Sequence, residues 1–179
     1  DDMSDDSTAA IVSGISKADP RVKLISSAGL PAGWHGKNFA CHSLSQHAGG
    51  NYFLFLDADV RAGNDLIGNA LGYAEKHKLG LFSVFPRQLM FSPGEWSTVP
   101  AMNYILLTLL PLIFVRISIF SSHAAANGQF MLFRADTYRK YLPHQKFSTS
   151  RFEDIETARY FKRNRIRIAC LAGNDSVRC

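Results

Sequence analysis

This chain has little sulfur and no order among its histidines. Its three cysteines, Cys41, Cys170 and Cys179, form neither a Cys-x-x-Cys pair nor the framework of a secreted scaffold, which excludes a disulfide-built fold and points to a reducing compartment. The six histidines lack zinc-type pairing: His42 and His47, five apart, do not stack on one helical face. There is no low-complexity tract and no internal repeat. No signal peptide is visible, and the chain opens without Met, inside a motif, so it reads as part of a longer protein. No apolar run reaches the roughly 20 residues of a spanning helix.

The 179 residues, 46% hydrophobic and 20% charged, suffice for one globular domain with a sizeable core. The net charge of +5 matters less than its placement. Acids crowd the start (Asp1, Asp2, Asp5, Asp6), and bases crowd the end (Arg159, Lys162, Arg163, Arg165, Arg167, Arg178). The run from Lys162 to Arg167 reads as a solvated face, or as a surface for anionic headgroups. Nucleic-acid binding has only this charge in its favour and no recognisable module, so no nucleic-acid partner is expected.

The most informative stretch is Asn51-Tyr-Phe-Leu-Phe-Leu-Asp-Ala-Asp59. Five apolar residues after Gly49-Gly50 read as a strand buried on both faces, and they run straight into two carboxylates. Ligands gather outside the carboxyl ends of such strands, and extended alternation would put Asp57 and Asp59 on one side. An Asp-x-Asp alone turns up by chance in roughly every two chains of this length. The competing reading is a solvated turn after a core strand. Paired carboxylates suit a hard cation, Mn²⁺ or Mg²⁺, with substrate phosphates completing its shell. Without metal, a carboxylate about 4 Å from a phosphate oxygen opposes it by up to ~4 kcal/mol.

Around this strand, the spacing predicts helices over about 7–16, from Lys37 (with Ala40, Cys41, Leu44 and Ala48 on one face), over 66–77 and over 154–164. Strands are expected at 22–25, 79–85, 130–133 and 166–171, and the alternation argues for a mainly parallel sheet. Between Asn103 and Arg116 the chain is apolar except for Thr108, with Pro111 inside. It reads either as a buried core helix or as an interfacial helix inserted into the alternation, and the second is the working expectation.

Four blocks in order carry a resemblance: Asp1-Asp2-Met-Ser-Asp-Asp-Ser-Thr8, Leu30-Pro-Ala-Gly-Trp-His-Gly-Lys37, Leu56-Asp-Ala-Asp59, and Gly128-Gln-Phe130 with Arg134 followed by Glu153-Asp154. Together the chain resembles the family 2 glycosyltransferases of the GT-A fold, especially those that glycosylate membrane isoprenoid or other lipid acceptors. The resemblance implies an α/β domain of GT-A type that binds a nucleotide-sugar, its mainly parallel central sheet flanked by helices. The first strand, which would precede Asp1, is missing, and an apolar helix is inserted. It also implies a partial catalytic domain over 1–179: a nucleotide-sugar half at 1–98, an apolar, interfacial segment at 99–122 and an acceptor-side half at 123–179. The motif of processive members and any C-terminal transmembrane helices would lie beyond Cys179.

Carried over residue by residue, the resemblance implies nucleotide-sugar binding by Asp1, Asp2, Lys37 and Asp57, and metal ligation by Asp59 with Asp57. Trp34, Gly128 and Gln129 fall on the acceptor side, and Asp154 is the catalytic base with Glu153 beside it. Lys37 also reads as an ordinary surface lysine, Trp34 as a loop anchor, and Glu153 and Asp154 as acids at a helix start. The expected activity is inverting transfer from a nucleotide-diphosphate sugar, UDP-linked, to a lipid or other membrane-associated acceptor at the cytoplasmic membrane face, with Mn²⁺ or Mg²⁺. Two alternatives stay open. A nucleotidyltransferase would need a glycine-rich phosphate loop near its start, which is not seen. A non-catalytic membrane-surface module would have no use for Asp57, Asp59 and Asp154.

Overall fold

The computed structural model describes residues 1–27, 29–109 and 111–179, with side chains throughout except at Met102, Asn103, Ile105, Leu106 and Leu107. The chain divides into two compact units, residues 1–49 with 142–151, and residues 50–141 with 152–179.

The first unit holds helix α1 (Thr8–Ala18), helix α2 (Gly36–His47) and the single turn α7 (Pro143–Lys146). Ser7 does not cap α1; the Asp6 carboxylate accepts from the Thr8 N–H at 2.9 Å instead. The strand expected at Val22–Ile25 does not form a ladder. A strand needs partners along its length, and among the described residues the backbone bonds here sit at its two ends, a local turn from Val22 N to Asp19 O, and Asp1 N to Ile25 O with Ser27 N to Asp1 O. Helix α2 buries a different face from the one expected: Asn38 and Ser45 are buried while Leu44 is exposed. The Asn38 amide is the reason. It donates to the carbonyls of Phe147, Ser148 and Ser150 at 2.8–3.2 Å and fastens the 142–151 segment to α2.

The second unit is a four-stranded sheet in the order β1 (Tyr52–Leu56), β4 (Phe130–Arg134), β3 (Leu81–Phe85), β5 (Ile168–Ala172). It is mixed rather than mainly parallel. Strand β4 runs antiparallel to both β1 and β3, so of the sheet's three neighbouring pairs only β3 with β5 is parallel. A helix between two strands does not by itself make them parallel, and the β3–β4 connection is a long excursion that returns in the opposite sense. Central β4 is buried along Phe130–Phe133 and alternates between faces. Phe130 and Leu132 meet Leu66, Ala70 and Ala74 of helix α3 (Leu66–Lys76). Phe133 packs against Tyr138 of α6 (Ala135–Tyr141) and Phe161 of α8 (Glu153–Arg163). Strand β1 is an edge, and only Phe53 is fully buried, so the expectation of burial on both faces fails.

The apolar insertion is helix α4 (Pro93–Leu109), helix α5 (Ile113–Ile117) and a 3₁₀ turn (Ser121–His123). Ser92 and Glu95 start α4 as a capping box: Ser92 Oγ accepts from Glu95 N, and Glu95 Oε2 accepts from Phe91 N and Ser92 N. Helix α4 continues through Pro100, and Pro111 falls between α4 and α5. At 17 residues α4 is about 26 Å long, and no helix among the described residues is long and apolar enough to cross a membrane. Lys162 also departs from expectation. It is buried, and its ammonium donates to the carbonyls of Phe114, Ser118 and His123 at 2.9–3.1 Å, tying the insertion to α8. Arg163, Arg165 and Arg167 remain exposed.

A short ribbon of β2 (Arg61–Ala62) and β6 (Val177–Arg178) completes the unit. Residues 177–179 also bond to the backbone of Arg87 and Leu89, which brings Cys179 beside Asp59.

Candidate functional site

Antiparallel pairing sets Leu56 opposite Phe130, so the carboxyl end of β1 meets the entrance of β4. Here the chain turns at once: Val60 N donates to Asp57 O, and the alternation expected to carry Asp57 and Asp59 to one side ends at Leu56. Asp57 is half-buried and Asp59 exposed.

Residues 127–129 join the Asp-x-Asp turn to Asp154. Asp57 N donates to Gln129 O at 3.2 Å, Gln129 N to Asn127 Oδ1 at 2.8 Å, and Gly128 N to Asp154 Oδ2 at 3.0 Å. The loop is clasped from below by Ser83 in the middle of β3. Ser83 Oγ accepts from Asn127 N at 2.7 Å and donates to Asn127 O at 3.1 Å. The other Asp154 oxygen accepts from Ile155 N at 2.7 Å in the first turn of α8. Phe152, the residue preceding α8, makes no side-chain cap. Glu153 is buried under the same turn.

Asp154 opens onto a cavity of about 830 Å³, within the range of small-molecule sites. Val99, Tyr104, Leu109 and Leu112 line it on the insertion side and Ala124–Ala126 opposite, with Arg159 one and a half turns along α8. Neither Glu153 nor the Asp-x-Asp pair lines it.

Cys179 joins Asp59 to Gln129. Its thiol donates to Asp59 Oδ2 at 3.1 Å and accepts from Gln129 Nε2 at 3.0 Å. Burial, and then the Asp59 carboxylate, push the thiol above its usual range, so it stays a protonated donor. Cys170 is pushed up to about 12, mainly by burial, and serves as core.

Among the described residues no group of three or more His, Cys, Asp or Glu could hold a metal ion unaided. The donor set of Asp59 and Asp57 suits instead a hard cation whose shell is completed by substrate oxygens.

The other expected residues belong to the first unit. Asp1 Oδ1 accepts from Ser4 N within its own turn. The Asp2 carboxylate lies at the start of α2, its Oδ2 3.3 Å from where a Cβ on Gly36 would stand. Lys37 is exposed beside it on the first turn. Trp34 packs on Phe39 and His42 of α2, with ring centroids 5.5 and 5.3 Å apart. Sequence reasoning missed Ser83, Asn127, Arg159 and the position of Cys179. Only Asn127-Gly128, a turn dipeptide, carried a legible signal.

The architecture is an α/β, GT-A-like fold with a mixed sheet flanked by helices. Residues 1–142 match Glycosyl transferase family 2, and the chain belongs to that family. Among solved structures it is similar to the mannosyltransferase PcManGT of Pyrobaculum calidifontis, in complex with GDP-Man and Mn²⁺ (18% identity, TM-score 0.64, covering 99% of this chain and 44% of that one). It is also similar to residues 1–349 of S. aureus TarS in complex with UDP-GlcNAc (16% identity, TM-score 0.60, covering 100% and 47%). At these identities the likeness is one of fold, and the chain spans less than half the length of either structure. Among curated proteins nothing matches.

Proposed function

We propose that the protein transfers a sugar, with inversion, from a nucleotide-diphosphate sugar, UDP-linked, to a lipid acceptor held at the cytoplasmic face of a membrane. One observation carries this reading: residues 127–129 tie the Asp-x-Asp turn to a carboxylate that opens onto a large, mainly apolar cavity. PcManGT with GDP-Man and Mn²⁺, and TarS with UDP-GlcNAc, support a nucleotide-sugar donor and a divalent cation.

In this reading the acceptor oxygen attacks the anomeric carbon and Asp154 takes its proton. The bond from that carbon to the diphosphate breaks, and the nucleotide diphosphate leaves with the electron pair. Asp154 suits the role because two N–H bonds fix its carboxylate while it faces the cavity. Asp59, with Asp57, would hold Mn²⁺ or Mg²⁺, which offsets charge on the diphosphate. Asp1, Asp2 and Lys37 take the nucleotide-side roles, Gly128 and Gln129 shape the acceptor side, and Trp34 anchors its loop. The functional division is a donor half at 1–98, a membrane-facing segment at 99–122 and an acceptor half at 123–179.

The exposed apolar side chains Trp96, Tyr104, Leu109, Ile117, Ile119 and Phe120 support contact with a membrane surface. The experiment is Asp154→Asn. Folding and UDP affinity should hold while turnover falls by roughly 10²–10⁴. Near-normal turnover in this variant would remove Asp154 as the base.

A further inference from the structure

A second cavity, of about 510 Å³, lies in the second unit at the end of the sheet opposite Asp57. Strands β3 and β5 begin there and β4 ends there. Five cationic side chains line it, from Lys78, Arg134, Lys140, Arg165 and Arg167, against one carboxylate, Asp136. Asp136 is already engaged, accepting from Arg134 Nε at 2.6 Å and from Thr137. Lys78, Arg165 and Arg167 make no ion pair among the described residues.

An ordinary explanation for such bases is that they complement helix ends. Lys78 and Arg165 do follow the C-termini of α3 and α8, and each end carries a partial charge of about −0.5. Two such ends and one carboxylate offset about two of the five positive charges, and about three remain.

The cluster is also built into the backbone. Gly80 N donates to Arg167 O at 2.8 Å, and Arg134 N donates to Gly80 O at 3.1 Å, so one residue pins both arginines. A Cβ on Gly80 would stand 2.3 Å from Ile166 Cγ2, so the floor is closely packed. Lys78 and Arg165 hold left-handed backbone, with φ of +53° and +58°, at helix exits where glycine is the unstrained choice. Both exits keep a long cation instead.

The geometry points to a binding site for a phosphate-bearing anion in this groove, separate from the Asp-x-Asp site. Guanidinium forks suit phosphate oxygens, and Arg134 has four N–H donors left after its bond to Asp136. The phosphate could belong to an anionic lipid headgroup or be free in solution. A lipid source has neighbouring support, because Arg116 of α5, next to exposed Ile117, reaches His77 beside Lys78 at 3.2 Å.

The test uses purified protein in metal-free buffer with two probes: inorganic pyrophosphate by calorimetry, and co-sedimentation with phosphatidylcholine vesicles with or without phosphatidylglycerol. The paired variant Lys78→Gly/Arg165→Gly should keep or raise the melting temperature while weakening binding by about 30-fold, the effect of two cations near a charged surface. Arg167→Glu, at an ordinary backbone position, should weaken it likewise. The control of equal charge change, Lys17→Gln/Lys23→Gln, on exposed residues of the first unit, should stay within about twofold of wild type. Binding of pyrophosphate alone identifies free phosphate, and binding only to phosphatidylglycerol vesicles identifies a headgroup. The proposal is overturned if wild type binds neither probe, if the control loses as much as the groove variants, or if both groove variants bind normally.

Discussion

Acidification should loosen the first unit through His144. This ring is 2% exposed, on the turn α7, and burial, then the charges of Lys37 and His42, hold its pKa down to about 3. In the unfolded chain the ordinary value of 6.5 applies. The folded state therefore prefers neutral His144, and the unfolded state binds the proton first. The contribution is complete above pH 6.5 and is lost as pH falls toward 3. At about 1.36 kcal/mol per pH unit, the loss is ~2 kcal/mol at pH 5 and ~4 kcal/mol at pH 3, close to the whole stability of a marginal domain. Trp34, 5.3 Å from His42, reports on this unit by fluorescence once Trp96→Phe removes the second tryptophan. Urea titrations at pH 7 and pH 5 should then lose ~2 kcal/mol more in this background than in one also carrying His144→Gln. His42, whose pKa burial also lowers, and the carboxylates contribute to both and cancel in the difference. Equal losses in the two proteins would refute the assignment to His144.

Lys162→Met should destabilise the second unit by about 2–4 kcal/mol in denaturant titrations. Three bonds from a charged donor, at about 1.5–3 kcal/mol each, are lost, partly offset by no longer burying an ammonium. Calorimetry with UDP should show binding that needs Mn²⁺ or Mg²⁺, and Asp59→Asn should remove that metal dependence without unfolding the protein. Tyr104→Asp/Leu109→Asp should reduce flotation with liposomes if the insertion meets a membrane, and equal flotation would leave the insertion a soluble wall of the cavity. Leu110 and the Leu106 side chain, within the same apolar run, lie outside the described residues.

What could be read from the sequence was what has a period. Helix α3 repeats Leu66, Ala70 and Ala74 every four residues, and all three are buried; α8 buries Ala158 and Phe161, three residues apart on one face. Strands β3, β4 and β5 are short apolar runs, each found within two residues of the expected bounds. Features set by a single distant partner left no pattern. Asn38 and Ser45 define the buried face of α2 because the Asn38 amide meets three carbonyls more than a hundred positions away. Lys162 looked like one charge in a basic run, yet its stem is buried and its ammonium serves three carbonyls. Helix α6 spans seven residues, under two turns, too few for a 3.6-residue repeat to declare itself. Strand direction was equally hidden, since the same β–helix–β string permits either sense once the connection is long.

The candidate site follows the same division. Asp57, Asp59 and Asp154 are legible as chemistry because carboxylates stand where strands and helices end, but what holds them in one arrangement is a serine in the sheet. Ser83 is wholly buried in a strand where valine or isoleucine would fill the space more cheaply. A hydroxyl placed there must find partners, and both of its bonds go to the backbone of Asn127. With Asn127 held, Gln129 N is fixed by the Asn127 side chain, Gly128 N reaches Asp154, and Gln129 O receives Asp57 N. Each link is an ordinary hydrogen bond worth about 1 kcal/mol, so the loop adds little to stability. Its effect is positional. Two carboxylate groups contributed by opposite parts of the second unit's sequence are referred to one sheet residue, and a shift in that loop would move both together.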